Sequence, residues 1–175
     1  MDKVTVESIR AAKGQRKIAM VTAYDYPTGL LADQAGMDIV LVGDSLGMVV
    51  LGYDTTVPVT MDEMVHHCRA VSRGVEKALL VGDMPFMSFH ITPERAVENA
   101  GRLVKEGGCK AVKIEGGANF SAVTAAIVNA GIPVMAHVGL LPASASLWSG
   151  YRLQGKTVED AEVLLREAQA LETAG

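Results

Sequence analysis

The sequence runs MDIVLVGD at residues 37–44 and ALLVGD at residues 78–83, so an apolar run is twice followed directly by Gly-Asp. Runs that are apolar on both faces are typical of strands buried in a parallel sheet. Three more runs share this character: KIAMVTA at 17–23, AVKI at 111–114 and IPVMA at 132–136. The sequence therefore predicts five buried, parallel strands.

A helical pattern follows each of the last four strands. Thr60 begins a capping box with Glu63 and predicts a helix to about residue 75. Thr92-Pro93 supplies an N-cap and a first-turn proline for a helix that ends at Gly107-Gly108. Two further helices are predicted at about 120–130 and 157–173. Strands that alternate with helices in this way predict an α/β fold with a parallel sheet.

The polar residues at the strand ends distinguish two α/β architectures, the doubly wound sheet and the TIM (β/α)8 barrel. Asp44, Asp83, Glu115 and His137 each end or follow a predicted strand. Barrel enzymes carry their active sites at these carboxyl ends. No G-x-G-x-x-G follows the first strand, so the main signature of a doubly wound dinucleotide-binding sheet is missing. The barrel is favoured.

The strand count fits only part of such a barrel. A closed barrel needs eight strands and about 250 residues, whereas 175 residues supply five predicted strands. We expect residues 1–175 to be a single domain covering about the first five βα units. An unpaired sheet edge is then expected at the point where a sixth strand would follow.

The composition of the chain indicates which kinds of partner and which cellular compartment to expect. Twenty Asp and Glu against 16 Lys and Arg give a formal charge of −4, which argues against nucleic acid as the main partner. No apolar run reaches the roughly 18 residues of a membrane span, and the first residues lack the order of a secretory signal. For Cys68 and Cys109, thiols in a reducing cytosol are favoured over a disulfide. We expect a cytoplasmic protein.

Three strand-end acids suggest a metal site. In a barrel, Asp44, Asp83 and Glu115 would meet at one rim, and three crowded anions repel unless a cation neutralises them. Carboxylate oxygens suit Mg²⁺, which typically binds through one or two carboxylates plus substrate oxygens and water. The alternative is that each acid merely caps the helix that follows its strand.

Other polar residues at the same rim are candidates for substrate contacts. Lys113 lies two residues before Glu115 and so points to the same side of its strand, where a lysine is costly unless paired or used. Ser45 could bond a ligand oxygen or begin a helix. His137 is suited to carrying a proton or donating to an oxyanion, although a buried structural histidine is the alternative. His90 has no assigned role.

Seven motifs follow one another along the chain: VTAYD at 21–25, LVGDSLGM at 41–48, GDMPF at 82–86, VKIEGG at 112–117, GIPV at 131–134, HVGL at 137–140 and GYRLQG at 150–155. Together they resemble one known family, ketopantoate hydroxymethyltransferase. The resemblance implies a TIM-barrel enzyme of pantothenate biosynthesis in the superfamily of phosphoenolpyruvate mutase and isocitrate lyase. It also implies a cytoplasmic homo-oligomer, a decamer in the family.

The implied reaction transfers a hydroxymethyl group from 5,10-methylenetetrahydrofolate to 3-methyl-2-oxobutanoate with Mg²⁺, giving 2-dehydropantoate. By the same resemblance, Asp44, Asp83 and Glu115 are metal-site acids, and Asp44, Ser45, Asp83 and Lys113 contact the 2-oxo acid. The family's catalytic base, a glutamate at the end of the next strand, is expected after Gly175. We therefore expect little turnover from these 175 residues alone.

The sequence departs from the family pattern at three positions. Ala143 replaces a glutamine, Ser149 stands where a second glycine is common, and Ala136 replaces a glycine before the histidine. These changes bear on contacts with the folate or between subunits. Two other functions stay open: a Mg²⁺-dependent lyase or mutase acting on another 2-oxo acid, and an inactive truncated copy.

Overall fold

A computed structural model describes residues 3–145 and 150–175. Five strands form one sheet in the order of the chain, and every neighbouring pair is parallel. The strands are β1 (Met20–Thr22), β2 (Ile39–Val42), β3 (Leu79–Asp83), β4 (Ala111–Glu115) and β5 (Val134–His137). The predicted α/β fold with five parallel strands is confirmed.

Eight α-helices and one short 3-10 helix are found within the described residues. The α-helices are α1 (Val6–Ala11), α2 (Tyr26–Gln34), α3 (Leu46–Val49), α4 (Met61–Ser72), α5 (Pro93–Lys105), α6 (Ser121–Asn129), α7 (Pro142–Ala145) and α8 (Val158–Ala174), and the 3-10 helix is Ala118–Phe120. Thr60 and Thr92 are N-caps, as predicted, and Thr60 and Glu63 form the capping box. Thr157 is the N-cap of α8. Within the described ranges, no helix has the length and apolar character needed to cross a membrane.

The two faces of the sheet bury different sets of side chains because strand residues alternate with a period of two. One face packs against helices α4, α5 and α6 through residues such as Val40, Leu80 and Val112. The other face is a smaller cluster of Ile39, Leu41, Leu79, Val81 and Ala111, against which Val4, Val6 and Ile9 pack. Asp83, Lys113 and Glu115 continue this second face by the same alternation.

The two edge strands are more exposed than the central ones. Within the described residues, β1 pairs only with β2 and β5 only with β4. All three residues of β1 are exposed, whereas β2 and β3 are buried throughout. The open edges agree with the predicted partial barrel.

A glycine in β3 gives room to two thiols. Cys68 and Cys109 are free and fully buried. A Cβ on Gly82 would lie 2.8 Å from Cys109 Sγ and 3.2 Å from Cys68 Sγ. Both thiols therefore occupy the space that a side chain at residue 82 would fill.

We expect Gly82→Ala to lower the free energy of unfolding by about 1–3 kcal/mol, because the added methyl group overpacks the core. Gly101→Ala is the control, since no atom lies within 4 Å of its Cβ position in α5; it should stabilise by up to about 1 kcal/mol. Urea unfolding measures both. In a Cys109→Ala background the cost of Gly82→Ala should fall, and an unchanged cost would contradict the packing argument.

A buried carboxylate joins α2 to the start of β3. Asp33 Oδ1 accepts hydrogen bonds from the backbone N–H groups of Lys77 at 2.9 Å and Ala78 at 2.7 Å. Burial opposes ionisation of Asp33, but these bonds outweigh it and hold its pKa below the ordinary value. A lowered pKa in the folded state stabilises the fold above the unfolded-state value of about 4. That contribution is lost as the pH falls through the folded-state pKa.

Asp33→Asn keeps an acceptor oxygen but removes the charge. We therefore expect the free energy of unfolding to fall by about 1–2 kcal/mol at pH 7. The difference in stability from the wild type should shrink at about pH 3, because this pH lies below the unfolded-state pKa of about 4. Urea unfolding at both pH values, with the exposed Asp54→Asn as control, measures it. The same difference at both pH values would mean that the charge of Asp33 has no part in stability.

Candidate active site at the carboxyl ends of the strands

The strand register brings the predicted polar residues side by side. Asp83 of β3 is the register partner of Lys113 of β4, and Glu115 of β4 is the partner of His137 of β5. All four lie at or near the carboxyl ends of their strands. Because they share one face of the sheet, the side chains meet there and form a continuous polar chain.

Lys113 is the cation of this chain. Its Nζ donates to Asp83 Oδ1 at 2.9 Å and Oδ2 at 2.8 Å, and to Glu115 Oε1 at 3.4 Å. Asp83 is only 2% exposed, and the Lys113 side chain is 12% exposed. The lysine is therefore paired inside the protein, and the predicted orientation of Lys113 and Glu115 to the same side is confirmed.

His137 extends the chain to β5. Its Nδ1 lies 3.2 Å from Glu115 Oε1, the oxygen that Lys113 also contacts. The other oxygen, Glu115 Oε2, is buried and has no hydrogen-bond partner among residues 3–145 and 150–175. When Nδ1 donates to the carboxylate, Nε2 of His137 is left as the basic nitrogen of the ring.

Asp44 and Ser45 adjoin the pair of Asp83 and Lys113. The backbone N–H of Asp44 donates to Asp83 Oδ2 at 3.3 Å, and Ser45 Oγ lies 2.8 Å from the hydroxyl of Tyr24. A Cβ on Gly43 would lie 2.9 Å from Ser45 Oγ and 3.8 Å from Asp83 Oδ2. Ser45 Oγ therefore occupies the space that a side chain at residue 43 would fill.

The pKa values show that this site is short of positive charge. Burial, together with the charges of Asp83 and Glu115, raises the pKa of Asp44 to about 7. Burial likewise raises the pKa of Asp83, against the opposing charge of Lys113. For Glu115, burial acts in the same direction, but His137 and Lys113 outweigh it and lower the pKa. Three carboxylates share one lysine, so a second cation would be stabilised here.

The helix-cap alternative for the acids is wrong. The N-cap of α3 is Ser45, and the 3-10 helix after β4 is capped by Gly117. Asp83 and Glu115 are the last residues of their own strands and bond Lys113. These two carboxylates therefore pair with Lys113 and do not cap a helix.

Tyr24 is a further member of the site that was not predicted from the sequence. Tyr24 follows β1, and its hydroxyl contacts Ser45 while its carbonyl oxygen lies 2.6 Å from Nδ1 of His67. Its position directly after a strand was the available signal. Of the departures from the family pattern, Ala136 lies in β5 and Ala143 is buried in α7, whereas Ser149 lies outside the described residues.

The donor set suits a hard divalent cation, although the acids are not arranged as a ready three-ligand site. Asp44, Asp83 and Glu115 offer only carboxylate oxygens, which are Mg²⁺ ligands. The unpartnered Glu115 Oε2 is compatible with a bound group. Among the described residues, no group of three or more His, Cys, Asp or Glu side chains is placed to hold a metal ion. The three-ligand set therefore stays a prediction.

Parallel βα units with acids, a lysine and a histidine at the strand ends define the class, an α/β protein of the TIM-barrel type. The sequence comparison then gives the family. The family model described as ketopantoate hydroxymethyltransferase matches residues 3–175, and the chain belongs to this family.

Two curated relatives are similar to nearly the whole of this chain, and both are named as hydroxymethyltransferases. The chain is 55% identical over 176 residues to the 3-methyl-2-oxobutanoate hydroxymethyltransferase of Carboxydothermus hydrogenoformans, covering 100% of this chain and 64% of that protein. It is 54% identical over 174 residues to the protein of that name from Dehalococcoides mccartyi, covering 99% of this chain and 62% of that protein. The chain thus spans 62–64% of the length of these two relatives.

Solved structures share the fold at low identity. A phosphonopyruvate hydrolase in complex with oxalate and Mg²⁺ matches with a TM-score of 0.71 and 19% identity, covering 100% of this chain and 61% of that one. A 2,3-dimethylmalate lyase of the PEP mutase/isocitrate lyase superfamily matches with a TM-score of 0.67 and 16% identity, again covering 100% and 61%. These likenesses confirm the predicted fold class.

Proposed function

We propose that this chain forms the part of a one-carbon transferase that binds the metal ion and the 2-oxo acid. The reaction would transfer a hydroxymethyl group from 5,10-methylenetetrahydrofolate to 3-methyl-2-oxobutanoate and give 2-dehydropantoate, a step of pantothenate biosynthesis. The observation that carries the proposal is the polar chain of Asp83, Lys113, Glu115 and His137 in a member of this family. A cytoplasmic homo-oligomer is proposed with it.

Asp44 and Asp83 would hold Mg²⁺, with Glu115 contributing negative charge beside them. Asp44 and Asp83 are adjacent through the hydrogen bond of the Asp44 backbone, and Mg²⁺ commonly uses one or two carboxylates. The structural relative that was solved with oxalate and Mg²⁺ supports the choice of metal. When bound, Mg²⁺ supplies Lewis-acid polarisation of the 2-oxo acid oxygens, which acidifies the C3–H bond.

The side chains of this chain would bind and orient the 2-oxo acid. Lys113 keeps its positive charge, because Asp83 outweighs the effect of burial and raises the lysine pKa. Its Nζ would stabilise negative charge that develops on the substrate oxygens. Ser45, placed by Tyr24, would donate to the same oxygens.

His137 would hold or move a proton at its Nε2, because Glu115 fixes the ring through Nδ1. Removal of the C3 proton is assigned to the glutamate that the family resemblance places after Gly175. In the overall step C3 would form a bond to the methylene carbon, and both bonds from that carbon to folate nitrogen would break. Water would supply the hydroxyl oxygen of 2-dehydropantoate, and the C3 proton and one water proton would end on the two nitrogens of the released tetrahydrofolate. The residues described here therefore position the substrate, and binding is the property to test.

Thermal unfolding in the presence of Mg²⁺ tests the substrate class. A ligand at about 100 times its Kd stabilises the folded state by about 2.7 kcal/mol, which for a chain of this size raises Tm by about 5–10 °C. We expect this shift with 3-methyl-2-oxobutanoate and much smaller shifts with phosphonopyruvate and isocitrate. A shift with either of the latter alone would favour a lyase or mutase, and no shift with any of the three would favour an inactive copy.

A further inference from the structure

Tyr24 lies just beyond a short edge strand, and the sheet alone does not hold it in place. Strand β1 has three residues, all of them exposed, and within the described residues it pairs only with β2. The backbone N–H of Ala23 still donates to the carbonyl oxygen of Leu41 at 3.0 Å. Tyr24 follows, directly before Asp25, the N-cap of α2. The position of Tyr24 therefore depends on contacts outside the sheet.

Helix α4 supplies such a contact. Nδ1 of His67 lies 2.6 Å from the carbonyl oxygen of Tyr24. A carbonyl oxygen can only accept a hydrogen bond, so Nδ1 is a ring nitrogen that carries hydrogen. Both residues are half-buried, and a hydrogen bond that is shielded from water is stronger than an exposed one. His67 therefore fixes the backbone of Tyr24 relative to α4.

The side chain of Tyr24 reaches Ser45. The two hydroxyl oxygens are 2.8 Å apart, and either group can donate. Under the proposed function, Ser45 donates its single hydrogen to an oxygen of the 2-oxo acid, so this hydrogen is not available to Tyr24. Tyr24 then has to be the donor to Ser45 Oγ. A correctly placed Tyr24 thus leaves the Ser45 hydrogen free for the substrate.

Helix α4 also holds α3, the helix that Ser45 begins, through a separate contact. The backbone N–H of Tyr53 donates to the carbonyl oxygen of Gly47 at 2.8 Å, and its hydroxyl donates to Glu63 Oε1 at 2.7 Å. Glu63 and His67 are four residues apart in α4 and so lie on one face of the helix. Because the contact through Glu63 does not involve His67, it should persist when His67 is replaced.

We propose that His67 is a positioning residue for binding of the 2-oxo acid, acting through Tyr24 on Ser45. The inference rests on the proposed function, in which Ser45 contacts the substrate. The His67 hydrogen bond fixes Tyr24, the Tyr24 hydroxyl donates to Ser45, and Ser45 donates to a substrate oxygen. The proposed metal ligands Asp44 and Asp83 are not links in this series. His67 should therefore affect binding of the acid and not of the magnesium ion.

Calorimetric titration of 3-methyl-2-oxobutanoate in saturating Mg²⁺ tests this role. His67→Leu removes the donor, and we expect it to weaken binding of the acid about tenfold, whereas binding of Mg²⁺ alone should change less than twofold. His67→Asn places an amide N–H near the position of Nδ1 and should recover most of the loss. His66→Leu, at the exposed neighbouring position of α4, is the matched control and should change neither affinity.

A double variant separates this role from a general effect on the structure. Tyr24→Phe keeps the ring and removes the hydroxyl through which His67 is proposed to act. In that background, His67→Leu should weaken binding of the acid by less than a further twofold. A purely structural role would give the same loss in both backgrounds and would weaken binding of Mg²⁺ as well. Either of these results would overturn the proposal.

Failure of the positioning role and failure of the proposed function give different results. A wild-type protein that does not bind 3-methyl-2-oxobutanoate in Mg²⁺ would overturn both. Wild-type affinity in His67→Leu, or no recovery in His67→Asn, would overturn the positioning role alone. Should His67→Leu not fold, His67→Phe removes the same donor and is judged by the same criteria.

Discussion

Asp83→Ala should abolish magnesium-dependent binding of 3-methyl-2-oxobutanoate. Asp83 is nearly fully buried and accepts from Lys113 through both carboxylate oxygens and from the backbone N–H of Asp44. Its loss removes a proposed metal ligand and leaves the lysine charge buried without its main partner. Breaking one side of a buried ion pair costs about 3–5 kcal/mol, so the free energy of unfolding should fall by a similar amount. Calorimetry and urea unfolding measure the two effects.

Two further variants separate loss of binding from loss of folding. Asp83→Asn preserves the shape of the side chain and should fold, yet it should also lose magnesium-dependent binding. Asp62→Ala removes a carboxylate whose side chain is 85% exposed and pairs with Arg102, so it should cost less than about 1 kcal/mol and leave binding unchanged. Wild-type binding by Asp83→Asn would remove Asp83 from the metal site.

Lys113→Met should give the second large effect, a loss of about 3–5 kcal/mol of stability in the absence of Mg²⁺. Without the lysine, Asp44 and Asp83 lose the cation beside them, and Glu115 keeps only its contact with His137. Added Mg²⁺ should restore part of the loss, because a cation that binds only the folded state stabilises it. Urea unfolding with Mg²⁺ and with EDTA measures this recovery.

Lys110→Met is the matched control for this variant. Lys110 is exposed next to β4, so its replacement should change stability by less than about 0.5 kcal/mol, with no effect of Mg²⁺. Equal stability of Lys113→Met in Mg²⁺ and in EDTA would contradict a cation site among the three acids.

The strands were predictable because their signal is local. Each is an apolar run, and the acid, lysine or histidine at its end follows from position alone. The period of two within a strand was also enough to place Lys113 and Glu115 on one face. The sequence therefore contained the members of the polar chain, although not the contacts between them.

Helix α2 was not predicted, because some of its residues favour a turn and others favour a helix. Pro27 and Gly29 in its first turns are typical of turns, yet Asp25 caps the helix and the proline occupies a position where the helix tolerates it. The need for glycine at residue 29 comes from a residue far along the chain. A Cβ on Gly29 would lie only 3.0 Å from Cγ1 of Val71 in α4. A close approach of two helices can be recognised only once both are placed.

The contacts of the site depend on register, which the sequence does not fix. The contact of Glu115 with His137 needs β5 aligned with β4. The position of His90 depends on Phe120, 30 residues further along the chain. No local pattern in the sequence carries this information.

Titration calorimetry of 3-methyl-2-oxobutanoate, first with Mg²⁺ and then with EDTA, tests the central claim most directly. The residues proposed to bind both partners, Asp44, Ser45, Asp83, Lys113 and Glu115, all lie in the described part of the chain. We predict saturable binding in Mg²⁺ that disappears in EDTA. Equal binding in EDTA, or no binding in Mg²⁺ by a sample shown to be folded, would contradict the proposed metal-dependent 2-oxo acid site.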